Sequence, residues 1–115
     1  MTCSYKARGG AVLTINGEDV YLKYLFLQET CKMQDIIAIR YVAPSIWKNG
    51  SICILTRQQQ LAAQNGNLKE PMTYNLFFTK KNSAEFEALF QELLRELRMC
   101  HNAEGVCRDS WWAWE

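Results

Sequence analysis

The side chains with the most chemical potential are five cysteines and a single histidine in a chain of 115 residues. Cys100, His101 and Cys107 lie close together in sequence, and Cys3 could add a fourth ligand. Thiolate and imidazole are donors that zinc prefers, but structural zinc is held by closely paired ligands. This set is one loose cluster plus a distant thiol. No CxxC pair occurs, the cysteine count is odd, and Cys31 and Cys53 stand apart. The cysteines therefore read as free thiols with no metal, and Cys53, inside the apolar run 51–55, as a small hydrophobe. The lone histidine lies in a polar stretch with no second titratable group spaced to work with it. Gly-x-Ser-x-Gly, His-Glu-x-x-His and a glycine-rich phosphate loop are all missing. The sequence predicts neither an enzyme nor a cofactor.

Binding is the remaining chemistry, and the aromatic tail is its most unusual feature. Trp111, Trp112 and Trp114 fall within four residues. A free tail would leave three indoles in water, and burying each is worth about 2 kcal/mol or more at ~25 cal/mol per Å². Such a tail can fold back onto its own sheet or dock on a partner, as an added strand or an anchor in a groove. The first is the expectation, because exposed apolar clusters are uncommon on soluble monomers. Thirteen basic and twelve acidic residues are well mixed along the chain. No basic stripe is visible, so nucleic acid is not an expected partner. Lys80-Lys81, the adjacent basic pair, reads as a solvated corner. Free thiols, no apolar h-region after Lys6 and Arg8, and no apolar run long enough to span a bilayer predict a cytoplasmic protein.

These groups must be carried by strands and one helix. Residues 11–15 and 20–27 flank Asn16-Gly17, the strongest short hairpin signal. Residues 28–34 read as a polar connection. A third strand over 35–42 ends at Pro44, a turn over 47–50 leads to a fourth over 51–57, and 72–79 forms a fifth. The polar stretch 58–70 reads as a loop with at most a short turn of helix. Residues 82–100 are the clear helix: Phe86, Leu89, Phe90, Leu93, Leu94 and Leu97 make one broad apolar stripe. Asn82 or Ser83 can cap it, Asn82 standing at capping-box spacing from Glu85. The expected organisation is one domain over 1–102, a mainly β meander closed by this helix, with a tail over 103–115.

Several strands carry large apolar residues on both faces: Leu25 and Leu27 beside Tyr24 and Phe26, Ile36 beside Ile37, Phe77 beside Phe78. A sheet with one core should alternate more cleanly, so a second covered surface is implied. The tail, or a contact with a second copy, is expected to cover the outer face near Ile36 and Phe77. Ile36, Phe77, Trp111, Trp112 and Trp114 are the candidate binding residues.

The segment from Gly10 through Val20, Gly-Ala-Val-Leu-Thr-Ile-Asn-Gly-Glu-Asp-Val, resembles the opening hairpin of bacterial PH-like domains. Met33-Gln34-Asp35-Ile36-Ile37-Ala38-Ile39 is similar to their third strand. Asn49-Gly50-Ser51-Ile52-Cys53-Ile54 and Tyr74-Asn75-Leu76-Phe77-Phe78 look like the later strands, and Phe86-Glu87-Ala88-Leu89 like the entry of the closing helix. The resemblance spans roughly residues 9–99. It implies a PH-like antiparallel β-barrel or sandwich, a strongly bent sheet or two crossed sheets, capped by one C-terminal helix. It implies no activity, since such folds bind lipids, peptides and proteins alike. Specific phosphoinositide binding is not expected: the loop Asn16-Gly17-Glu18-Asp19 is acidic, and Lys23 is the only nearby base. The sequence thus predicts a non-catalytic protein- or peptide-binding module of bacterial or phage origin that can self-associate. The alternative is a membrane-surface or small-ligand binder using the open end of the barrel.

Overall fold

Asn16-Gly17 makes the tight turn its composition predicts. In the computed structural model, which describes residues 2–24 and 26–114, strands β2 (Val12–Asn16) and β3 (Asp19–Tyr24) pair antiparallel, with Asn16 opposite Asp19. Gly17 takes φ 63° at the first loop position, a backbone that side chains resist. Strand β1 (Thr2–Lys6) adds to one side of this hairpin and β4 (Leu27–Lys32) to the other, giving the order β1-β2-β3-β4. The strand expected over 20–27 is therefore two strands, since the chain reverses after Tyr24. Leu25 lies outside the described residues. The expected polar connection at 28–34 is mostly β4, an edge strand whose residues other than Cys31 are all exposed. With only Cys31 turned to the core, it carries no apolar alternation.

The second sheet holds β5 (Ile36–Val42), β6 (Gly50–Thr56), β7 (Tyr74–Phe78), β8 (Val106–Arg108) and β9 (Trp111–Ala113) in the order β7-β6-β5-β9-β8. β6 opens on Gly50, where an added Cβ would lie 2.5 Å from the Phe78 ring and 2.8 Å from Pro44 Cδ. Glycine is what lets strand, ring and loop close this tightly. Between β6 and β7 the expected loop contains α1 (Arg57–Asn65). Its start is a full capping box: the Gln59 amide donates to Thr56 Oγ1 at 3.2 Å, and Thr56 N–H donates to Gln59 Oε1 at 3.0 Å. Ala63 is its one buried residue, so no apolar stripe betrays it.

Helix α2 (Ser83–His101) matches the expected stripe. All six apolar residues are buried, packed with Leu13, Val20 and Leu22 of one sheet and Ile39, Ile52, Ile54, Leu76 and Phe78 of the other. Phe78 and Phe86 stack with ring centroids 4.7 Å apart. The Asn82 side chain does not cap the helix; its Oδ1 accepts instead from Thr79 Oγ1 at 3.3 Å, within a 3-10 turn over Lys80–Asn82. At the other end Asn102 turns left-handed, φ 53°, and its N–H meets the carbonyls of Arg98 and Met99.

Two separate antiparallel sheets, and no closed barrel, make up the β structure among the described residues. Arg8, in the β1–β2 loop, donates to Asn49 Oδ1 at 3.5 Å, just before β6 pairs with the end of β7. Tyr24, at the end of β3, shares a hollow with Met72 and with Tyr74, the first residue of β7. The β1–β2 loop and the end of β3 thus reach opposite ends of β7, so the first sheet runs across the second. No helix among the described residues is long and apolar enough to cross a membrane.

Ile36 departs from expectation. The register shifts between Ile36, opposite Thr56, and Ala38, opposite Leu55. One extra residue in the strand turns both Ile36 and Ile39 inward, and Ile36 is fully buried in the main core. Strict alternation had put Ile36 on the outer face; the bulge removes it from there.

Candidate functional site

The tail is not a layer over the sheet but two of its strands. β8 and β9 join through Asp109 (φ 53°) and Ser110 (φ 70°), two consecutive positive-φ residues, as in a type I′ hairpin. β9 then pairs with β5, Ile39 opposite Trp112 and Arg40 opposite Trp111, and extends the sheet in its own plane. The outer face near Phe77 stays open: Phe77 is 47% exposed.

Alternation along β9 divides the tryptophans. Trp112 and Trp114 pack against the core. The guanidinium of Arg98 lies over the Trp112 ring, 4.9 Å from its centroid. Trp114 donates its backbone N–H to Ile37 O at 2.9 Å and its indole N–H to Ala103 O at 3.0 Å. Its ring stacks on His101, centroids 5.6 Å apart, while His101 Nε2 donates to Ile36 O at 2.8 Å. The histidine that sequence placed in a loose ligand cluster is therefore a structural tie between α2, β5 and the tail. Cys100 and Cys107 are exposed, and among the described residues no group of three potential ligands could hold a metal.

Trp111 faces the other way. The pairings set one cross-strand row, Asn75–Cys53–Arg40–Trp111–Arg108, and beside it Leu55–Ala38–Ala113–Val106. Gln60 of α1 and the segment Glu70, Pro71 and Thr73 wall one side, and Arg108 and Asp109 the other. The result is a groove of about 590 Å³ across the outer face, within the range of ligand sites. Its floor is Ala38, Cys53, Leu55 and Ala113, largely apolar.

In that floor stands Arg40, whose Nε is buried without a hydrogen-bond partner among the described residues. Neither Arg40 nor Arg108 makes an ion pair among the described residues. A guanidinium held in an apolar setting is costly, and a carboxylate or phosphate entering the groove is the group that pairs with it, bidentately if geometry allows. Trp111 beside it offers a flat apolar face. Glu70 and Asp109 at the rim oppose a ligand carrying many negative charges.

Phe77 lies outside this groove, in a shallow hollow with Tyr24, Met72 and Tyr74, and Thr73 lines both. Of the five expected binding residues the structure brings only Trp111 to the groove. The residues that matter most there, Arg40 and Arg108, were not among them. The available signal was Arg40 itself, one charge inside the apolar run 36–42.

Burial pushes the Cys31 thiol up to about 11, with Asp35 adding to it. The phenols of Tyr24 and Tyr74 are raised chiefly by burial. These shifts hold protons on and suit packing rather than nucleophilic work. Comparison of the chain with protein-family models, with curated proteins and with solved structures gave no match.

Proposed function

We propose that the chain is a non-catalytic, PH-like interaction module that binds an extended peptide across the outer face of its five-stranded sheet. The observation that carries this reading is Arg40, its Nε buried and without a partner among the described residues, aligned with Trp111 and Arg108 in one cross-strand row. The peptide segment that fits has one acidic side chain, or a terminal carboxylate, to pair with Arg40 and an apolar neighbour to lie on Trp111 and Leu55. The PH-like reading rests on the earlier resemblance and is supported by the crossed sheets with α2 packed against both. A non-catalytic role is supported by His101, which is committed to the Ile36 carbonyl and the Trp114 ring. Five unpaired thiols support a reducing, cytoplasmic setting for both module and partner.

Selection of a displayed random-peptide library on the folded protein tests this. Enriched peptides should share an Asp or Glu, or a free C-terminus, next to an apolar residue. Arg40→Met should weaken them by tenfold or more, on the order of the 1.5–3 kcal/mol of a charged hydrogen bond, while leaving the circular dichroism spectrum unchanged. Peptides without an acid, or bound equally by Arg40→Met and Trp111→Ala variants, would rule the groove out.

A further inference from the structure

A second site lies on the 43–49 loop, away from the groove. Ser45 builds a rigid turn there: its Oγ accepts the backbone N–H of Trp47 at 3.2 Å and of Lys48 at 3.1 Å, and its own N–H donates to Lys48 O at 2.9 Å. Gly50 packed under Phe78 and Pro44 fixes the base of the same loop. The turn is held, yet what it presents is apolar. Trp47 is 88% and Ile46 76% exposed. Exposed adjacent tryptophan and isoleucine side chains on a fixed turn find no apolar cover among the described residues.

The surroundings are basic. A hollow beside the tip is lined by Lys48 and Lys80, Lys81 follows in the same exposed turn, and Arg8 reaches the loop through Asn49. Lys48, Lys80 and Lys81 make no ion pair among the described residues. The next carboxylates along the chain, Glu85 and Glu87, lie in α2 and act on Tyr5 and Tyr41. A second exposed apolar tip, Phe26 (98%) and Leu27 (66%), serves as an internal contrast. It has Lys23 nearby but also Glu29, and no cluster of cations.

We infer that the 43–49 tip is a peripheral membrane anchor, inserting Ile46 and Trp47 at the interface of an anionic bilayer while Arg8, Lys48, Lys80 and Lys81 meet the lipid headgroups. Indole and aliphatic side chains at a fixed depth, ringed by lysines that extend toward phosphate, are the chemistry such a surface takes. A protein surface would have to be acidic and grooved at once to match the same tip. This anchor leaves the Trp111 groove free, so the two bindings are independent.

Sedimentation with phosphatidylcholine vesicles, with and without phosphatidylserine, tests the inference on the whole chain. Binding is expected only with phosphatidylserine and should fall as salt is raised. Lys80→Ala with Lys81→Ala should weaken it roughly twenty-five-fold, about fivefold per charge near the surface. Trp47→Ala should weaken it by about tenfold or more through lost apolar burial, and brominated lipids should quench a fluorescence component that Trp47→Phe abolishes. Soluble glycerophosphoserine and inorganic phosphate should not compete, because the contact is with a surface rather than a headgroup pocket. No binding to phosphatidylserine vesicles overturns the inference, as does equal binding by the Trp47→Ala protein. Competition by the soluble headgroup or by phosphate replaces the anchor with an anion site. Capture of a soluble protein at Trp47 without vesicle binding replaces it with a protein-docking tip.

Discussion

Trp114 and Trp47 put the same side chain into opposite circumstances. Trp114 has a stacked histidine, an indole hydrogen bond to Ala103 and a backbone bond into β5. Trp47 has a rigid turn beneath it and solvent around it. In the sequence the first belonged to a conspicuous cluster and the second passed as part of a turn. An aromatic cluster marks a place where something is buried; whether its own chain does the burying is decided by strand alternation and by which hydrogen bonds the indole finds. The conspicuous tryptophans are largely structural, and the inconspicuous one is left for an outside partner.

The largest test of this contrast removes the whole tail. A chain ending at Asn102 loses β8 and β9, bares the edge of β5 and strips Trp112 and Trp114 from the core. It should lose on the order of 3–5 kcal/mol in urea unfolding, the range for deleting large aromatic packing, and should tend to pair through the exposed edge. A truncated protein that is monomeric and equally stable would mean that the tail only decorates the sheet.

The single-residue version is sharper. Trp114→Ala should cost about 2–3 kcal/mol, somewhat below full-burial values because the ring is partly exposed, and should leave His101 without its stacking partner. Trp47→Ala should stay within about 0.5 kcal/mol of the parent, as exposed positions do. Equal costs at the two sites would break the comparison.

How far the sequence reached follows the same physical line. The Asn16-Gly17 hairpin and the stripe of α2 were legible because local rules fix them: a tight turn needs positive φ, and a helix with one buried face must repeat its apolar residues. β4 was not legible, because Gln28, Glu29 and Thr30 face water. α1 lacked a stripe, although Thr56 and Gln59 had the spacing of a capping box all along. Ile36 was misplaced by a bulge that alternation cannot foresee. The groove is the least local feature of all. Arg40 comes beside Trp111, and into one row with Arg108, only after residues 71 positions apart have been set in register, and no short-range pattern encodes that.

Thiols extend the inside–outside contrast to pH. Cys31 packs against the core, and burial raises its thiol to about 11, whereas Cys107 is exposed on β8. A thiol whose pKa rises on folding holds its proton longer in the native chain than in the unfolded one. Its contribution is complete below the ordinary value of 9.0 and is lost as pH rises through about 11. The urea midpoint should therefore fall across that window, and less steeply in a Cys31→Ser variant. Near pH 8 the thiolate fraction of Cys31 should be about a hundredfold below that of an ordinary thiol; its burial adds to this, and iodoacetamide should label the exposed Cys107 before it. A flat urea profile with equal labelling would place Cys31 at the surface.

The smallest effect bears most on function. Arg40 occupies the outer face of a central strand, where an apolar residue would pack on Ala38, Leu55 and Trp111. Its buried Nε has no partner, so the folded protein carries a desolvation cost that nothing in the described chain offsets. Replacing such a group by an apolar one of similar length removes the cost and keeps the packing of the stem. Arg40→Met should therefore raise stability by about 1 kcal/mol while weakening peptide binding. A gain in stability with a loss of binding is what separates a residue kept for a ligand from one kept for the fold. If Arg40→Met instead destabilises the protein, the guanidinium is structural, and the groove loses the feature that makes it a site.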